Sequence, residues 1–341
     1  MTEAIFPIVG AVLVLLFVMP VSAMLARVVL VAADRFMPPS WFYIQQELRY
    51  FSVVMASAAP LLWFASAGLH QAESGVGSKV CALEHAATES LCPEPWFFAL
   101  ALVLYAMGFA LTRSSSYRTR LVPRSARRNA RLEARVDALV SACPELRRLE
   151  GYCEVIDDLT IPIAAVGIAQ PRIVLSAEFV QQLDDDALVG ALHHELEHVR
   201  GHDPLRFLIA AWALRVNPWG RIFLHGELSR WRFERELQCD KEAVANGADA
   251  AAIAHAIVTA ARRSERSVAA LGDTDGRALK LRVELLLAYQ ERPPARSSRH
   301  SAFGATVAAA VVWALLPHGG RTWALDAVHV VAETTVLAIT S

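Results

Sequence analysis

The chain has 341 residues, 55% of them hydrophobic and 20% charged, with a formal net charge of −1. A soluble domain is usually about 45–50% apolar and about 25% charged. The apolar excess, with a mean hydropathy of +0.34, therefore points to membrane-spanning segments. The near-zero charge provides no global field to draw nucleic acid, and no such partner is expected.

The first apolar run covers residues 4–31 and is broken only by Arg27. It exceeds the roughly 20 residues that a bilayer core requires. A cleavable signal peptide is disfavoured, because the start has no basic stretch and the run is too long. Residues 51–69 form a second run and residues 96–112 a third. Arg113, Arg118, Arg120, Arg124, Arg127, Arg128, Arg131 and Arg135 follow, whereas Lys79 is the only Lys or Arg between the second and third runs. By the excess of basic residues in cytoplasmic loops, the arginine-rich side is expected in the cytoplasm and the Lys79 loop outside. That loop holds Cys81 and Cys92, and a disulfide between them is expected in its oxidising compartment.

Residues 113–299 are the one stretch large enough for a polar catalytic domain. A charged helix is expected over 124–149. Short strands are expected over 153–155 and within 161–174, where β-branched residues are bounded by Pro162, Gly167 and Pro171. Ser176 has the character of a helix N-cap, and Asp184 to Asp186 suit the start of a helix over 187–200 that stops near Gly201. Further helices are expected over 227–245, 250–263 and 277–290. A linker rich in Pro, Arg and Ser then leads to a fourth span, residues 300–318. The expected architecture is thus a mainly α membrane protein. It has spans at about 4–31, 51–69, 96–112 and 300–318, with both termini outside. Its cytoplasmic domain is mostly helical with a small sheet, and residues 319–341 form a short outer tail.

His194 and His198 are four apart on an expected helix, so both imidazoles share one face and can point at one ion. Glu195 stands beside the first of them, placed to take a proton from a metal-activated water. A catalytic zinc site needs a third protein ligand and one open position. Glu236 and Asp240, another pair four apart, offer one carboxylate for the ion and one to orient a histidine. Asp203 is a further candidate for orienting a histidine, and Cys239 is a rival ligand. His193 and Glu197 lie on a different face and are expected to make a surface contact. The strand with Ala164, Val166 and Gly167 is a candidate for holding an extended substrate along a sheet edge.

These residues resemble the BlaR/MecR family of membrane metallopeptidases. The resembling segments are Pro162 to Ser176 (PIAAVGIAQPRIVLS), Leu192 to Asp203 (LHHELEHVRGHD), Asn217-Pro218-Trp219 and Glu234 to Ala243 (ERELQCDKEA). The expected four-span layout with an inward domain is similar too. The resemblance implies a gluzincin-like domain in a bacterial cytoplasmic membrane. Its zinc ligands are His194, His198 and Glu236, its catalytic carboxylate is Glu195, and its substrate is a protein such as a transcriptional repressor. Well-known members carry a penicillin-binding sensor domain after the last span. The tail here is too short to bury a core of its own, which leaves open whether β-lactams are involved. The Glu-x-x-Cys-Asp pattern is closer to this family than the Glu-x-x-Ala-Asp of HtpX-type proteases. A quality-control protease of that type is one alternative, and a membrane scaffold with a closed, structural metal is another.

Overall fold

The computed structural model describes residues 12, 14–74, 107–108, 127–167, 170–267 and 274–291. The expected spans at 96–112 (apart from residues 107–108) and 300–318, the tail, Cys81 and Cys92 lie outside the described residues. The chain divides into two units. One combines Met1–Arg113, Ile209–Trp231 and Arg299–Ser341, and the other combines Ser114–Leu208 and Arg232–Ser298.

In the first unit a five-residue π-helical turn, Val14–Val18, leads into helix α1, Met19–Phe36. Leu15–Phe36, with a mean hydropathy of 2.3, is the one helix among the described residues long and apolar enough to cross a membrane. One side of α1 is buried through Met19, Ala23, Leu30 and Ala33, while Val21, Leu25 and Val28 are exposed. Helix α2, Phe42–Ser74, contains the second apolar run but begins well before it. The reason is Arg49, which interrupts hydrophobicity in the sequence. Here its side chain is buried against Asp34, 2.7 Å away, and Glu227. Ser22 donates to the Ala56 carbonyl at 2.6 Å and ties α1 to α2.

The sequence signals missed helix α6, Asp203–Val216, and the first turns of α7, Pro218–Ala245, which was expected to start only at residue 227. Pro204 and Pro218 each stand in a first helical turn, where the missing N–H costs nothing. Asn217 joins the two helices. Its Oδ1 accepts from the N–H groups of Trp219 and Gly220, both at 3.1 Å. Its amide nitrogen donates to the carbonyls of Ala56 at 3.1 Å and Met19 at 3.3 Å.

The second unit starts with α3, Ala130–Ala142, capped by Asn129 through the Leu132 N–H at 3.2 Å. Cys143 and Pro144 end it, and Pro144–Leu149 continues as a 3-10 turn, so the expected helix over 124–149 is divided. Strands β1 (Cys153–Ile156), β2 (Ile163–Val166) and β3 (Arg172–Ser176) form one sheet in the order β1-β3-β2. β1 runs parallel and β2 antiparallel to β3. The outer side of β1 is covered by an antiparallel bridge between Arg128 and Ile156, with the Asn129 N–H donating to the Val155 carbonyl at 2.8 Å. Among the described residues β2 is therefore the edge left uncovered.

Ser176 caps α4 (Ala177–Gln182) and Asp184 caps α5 (Asp185–Arg200), at 3.4 Å and 2.8 Å from the N–H groups of Phe179 and Ala187. Helices α8 (Ala250–Ser267) and α9 (Thr274–Glu291) are the last elements of the unit among the described residues. Its core joins Val155, Ile173 and Leu175 of the sheet to Phe179, Leu188, Leu192 and Leu196. Gly190 costs α5 about 1 kcal/mol relative to Ala. A Cβ there would sit 3.0 Å from the Ile253 amide nitrogen, so the glycine lets α8 lie against α5.

Candidate metal centre

α5 carries His194, Glu195 and His198, all three buried. One ligand atom from each lies within 4.8 Å of the others. The two Nε2 atoms are 3.1 Å apart. From α7, Glu236 places one carboxylate oxygen 3.3 Å from His194 Nε2 and the other 3.4 Å from His198 Nε2. Four donors bonded at about 2.05 Å to a tetrahedral ion stand about 3.3 Å apart. The three donor groups therefore have the spacing of ligands to a common ion of that size.

The outward nitrogens are held in matching ways. His198 Nδ1 lies 2.7 Å from Asp203 Oδ2, and His194 Nδ1 lies 2.8 Å from Asp240 Oδ1, the latter off the ideal hydrogen-bond line. Each aspartate is in turn held by an arginine. Arg235 Nε donates to both oxygens of Asp203, at 2.9 Å and 2.8 Å. Arg282, from α9, donates to the two oxygens of Asp240 at 2.8 Å and 2.9 Å, and its third nitrogen lies 3.0 Å from Glu236. A carboxylate on Nδ1 keeps the proton there and leaves the Nε2 lone pair for a metal. The arrangement thus comprises two His–Asp–Arg relays converging on one point.

Electrostatics point the same way. Burial opposes charge on His194, but Asp240 and Glu236 push its pKa up to about 10. Burial likewise opposes charge on His198, yet Cys239, Glu236 and Asp203 hold it well above its ordinary value. Burial raises the carboxyl pKa of Glu236, but His198 and Arg282 more than offset this and leave it well below the usual range. Asp203 and Asp240 are lowered too, against burial, by their histidine and arginine partners. Three carboxylates, Asp203, Glu236 and Asp240, are held by two guanidinium groups, Arg235 and Arg282. They leave a net negative charge beside the two imidazoles, which a bound cation would help to balance. The donor set therefore fits a divalent ion of zinc's preferences, with nitrogen and carboxylate ligands.

Of the residues singled out in the sequence, His194, Glu195, His198, Glu236, Asp203 and Asp240 come together. Cys239 is buried behind His198, its sulfur 3.5 Å from Nδ1 and 3.9 Å from Asp203. It thus faces the nitrogen turned away from Glu236, and its cluster with His198 and Asp203 is a second grouping of possible ligand atoms. His193 and Glu197 are both buried, which corrects the expected surface contact. His193 reaches Cys143 at 3.5 Å, and Glu197 accepts from Arg200 and Asn246 at 2.5 Å and 3.1 Å. Both face partners from elements distant in sequence, which helix periodicity alone does not reveal.

A cavity of about 310 Å³ opens beside the histidines, lined by His194, Glu195, Glu236 and Arg282 together with Pro162 and Ile163 at the start of β2. Ala164, Val166 and Gly167 continue along that edge strand and its end and do not line the cavity. Arg235 and Arg282 are the site residues that sequence reasoning missed. Arg235 lies 32 positions from Asp203 and Arg282 42 positions from Asp240, and no local motif marks either.

The profile of one family, described as BlaR1 peptidase M56, matches residues 29–286. Searches of the curated proteins and of the solved structures each return no match. The family match spans most of the chain and includes the histidine pair, Glu195, Glu236 and both arginines. The chain belongs to the BlaR1 peptidase M56 family, whose members are membrane-associated metallopeptidases.

Proposed function

We propose that the chain is a zinc-dependent endopeptidase of a bacterial cytoplasmic membrane. In this reading it has four spans and an inward catalytic unit, and it cleaves a cytoplasmic or membrane-proximal protein such as a transcriptional repressor. The carrying observation is the convergence of His194, His198 and Glu236 at mutual distances of 3.1–3.4 Å, with Glu195 beside them.

His194, His198 and Glu236 would hold the ion, and Asp240 and Asp203 would orient the two histidines. Bound there, zinc would supply Lewis-acid chemistry for the scissile carbonyl and the attacking water. Glu195, next to a ligand histidine yet outside the ligand set, takes the proton of the attacking water and returns it to the departing amine. β2 leads into the cavity with an uncovered edge, so an extended substrate adds to the sheet there by main-chain hydrogen bonds. Such pairing supplies affinity with little sequence demand, as suits a short unstructured stretch of a protein substrate.

The test compares the wild type with Glu195→Gln, each purified in detergent and assayed for bound zinc and for cleavage of an unfolded protein. Gln is nearly isosteric but cannot accept the proton. The expected result is wild-type zinc content with a rate about 10²–10⁴-fold lower. Wild-type rates in the zinc-loaded variant would overturn the reading.

A further inference from the structure

The two relays that hold the histidines differ in one respect. Arg235 is enclosed, with 5% of its side chain exposed, and is spent on Asp203 and the Glu197 carbonyl, 3.3 Å away. Arg282 plays the same part for Asp240, yet its side chain is 16% exposed and lines the cavity with Glu195 and Glu236. An arginine has five N–H donors in a rigid fork. Two go to Asp240 and one faces Glu236. Burial works against its charge, but Asp240 and Glu236 raise its pKa above the ordinary value. A fixed cation thus forms part of the cavity wall, and orienting Asp240 does not exhaust its donors.

Building on the peptidase reading, we propose that Arg282 is a substrate-contacting catalytic residue whose guanidinium stabilises the oxygen on which negative charge builds during cleavage. As water's oxygen bonds to the carbonyl carbon, its proton passes to Glu195 and the C=O π pair moves onto oxygen. Arg282 donates to that oxygen. When the pair returns, the C–N bond breaks and Glu195 protonates the amine. A donor held in place beforehand needs no reorganisation as the charge appears, and removing one such donor elsewhere costs about 10²–10³-fold. Arg235, bound to its aspartate in the same way but absent from the cavity wall, is a built-in control for the orienting role alone.

The experiment uses the full chain in detergent, loaded with zinc, as wild type, Arg282→Lys and Arg235→Lys. Lysine keeps a charge to pair with each aspartate, so folding and zinc content can be checked before any comparison. Two probes are measured: N-phosphoryl-Leu-Trp, which carries a tetrahedral anion, and a Leu-Trp hydroxamate, which chelates the metal without one. The expected result for Arg282→Lys is a loss of about 10²-fold for the phosphoryl probe, with near-wild-type hydroxamate affinity and zinc. Arg235→Lys should move both probes together. Equal losses for both probes in Arg282→Lys, or an unchanged phosphoryl affinity, would overturn the proposal. A zinc-loaded wild type that binds neither probe and cleaves no protein would instead overturn the peptidase reading beneath it.

Discussion

Asp240 accepts two hydrogen bonds from Arg282, at 2.8 Å and 2.9 Å, and faces His194 at 2.8 Å with its charge already matched. A buried carboxylate left without the arginine would be costly. Paired, it can stay ionised beside the imidazole and fix its tautomer. The same logic joins Arg235, Asp203 and His198.

Replacing a group that orients a ligand typically weakens metal binding about 10–100-fold. Asp203→Asn and Asp240→Asn should each fall in that range. Glu236→Ala should lose more, and Cys239→Ser should keep wild-type zinc content. Equilibrium zinc titration of the four variants checks this. Retained zinc in Glu236→Ala together with loss in Cys239→Ser would hand the third position to the thiol.

Gly201 ends α5 with ordinary helical φ, so backbone freedom does not explain it. A Cβ there would lie 1.9 Å from Arg235 Nη2. Gly201→Ala should therefore displace Arg235, loosen Asp203 and lower zinc affinity by about tenfold or more, although Ala is the better helix former. Zinc affinity equal to wild type would show that Arg235 can yield without consequence.

The zinc-free protein should lose stability as the solution becomes alkaline. Both histidines have pKa values raised on folding, His194 to about 10. Their contribution is fully present below the unfolded value of about 6.5 and is lost as pH rises through the folded one. Asp203, Glu236 and Asp240 are depressed, so their contribution is present above about 4 and fades as pH falls further. The melting temperature of chelator-treated protein should thus decline between about pH 6.5 and 10. Zinc-loaded protein should decline less, since the ion replaces the protons. Identical slopes for the two forms would refute this.

The arginine-rich segment and the Lys79 loop should face opposite sides of the membrane. Whole cells treated with an impermeant maleimide should show labelling of a cysteine in the Lys79 loop, after reduction, and none at Ser115→Cys. The reverse pattern would invert the topology.

Much of the candidate metal centre was legible because helical periodicity turns a spacing of four into a shared face, which paired His194 with His198 and Glu236 with Asp240. The acidic run at Asp184 to Asp186 marked the start of a helix, though not that Asp184 itself is the cap, and the cap at Ser176 was legible from residue type. Arg235 and Arg282 were not, because their importance lies in contacts across 32 and 42 positions. α6 was hidden by its almost uniformly apolar sequence, which lacks the alternation of faces that marks an amphipathic helix. Arg49 shifted the apparent start of α2, since a buried, paired cation reads in sequence as a polar boundary.

β2 is only four residues long, preceded by Pro162 and followed by Gly167. An uncovered strand edge invites any chain with free main-chain groups, including another copy of the same protein. A proline that cannot donate stands just before this edge, and at Gly167 the backbone turns to a φ of +98°, which ends the extended run. A partner strand thus has only a few main-chain hydrogen bonds to gain. On the proposed peptidase reading, that would be enough to hold a peptide presented to the cavity and too little to seed a growing stack of sheets, so an edge left open for substrate would carry a small risk of self-association.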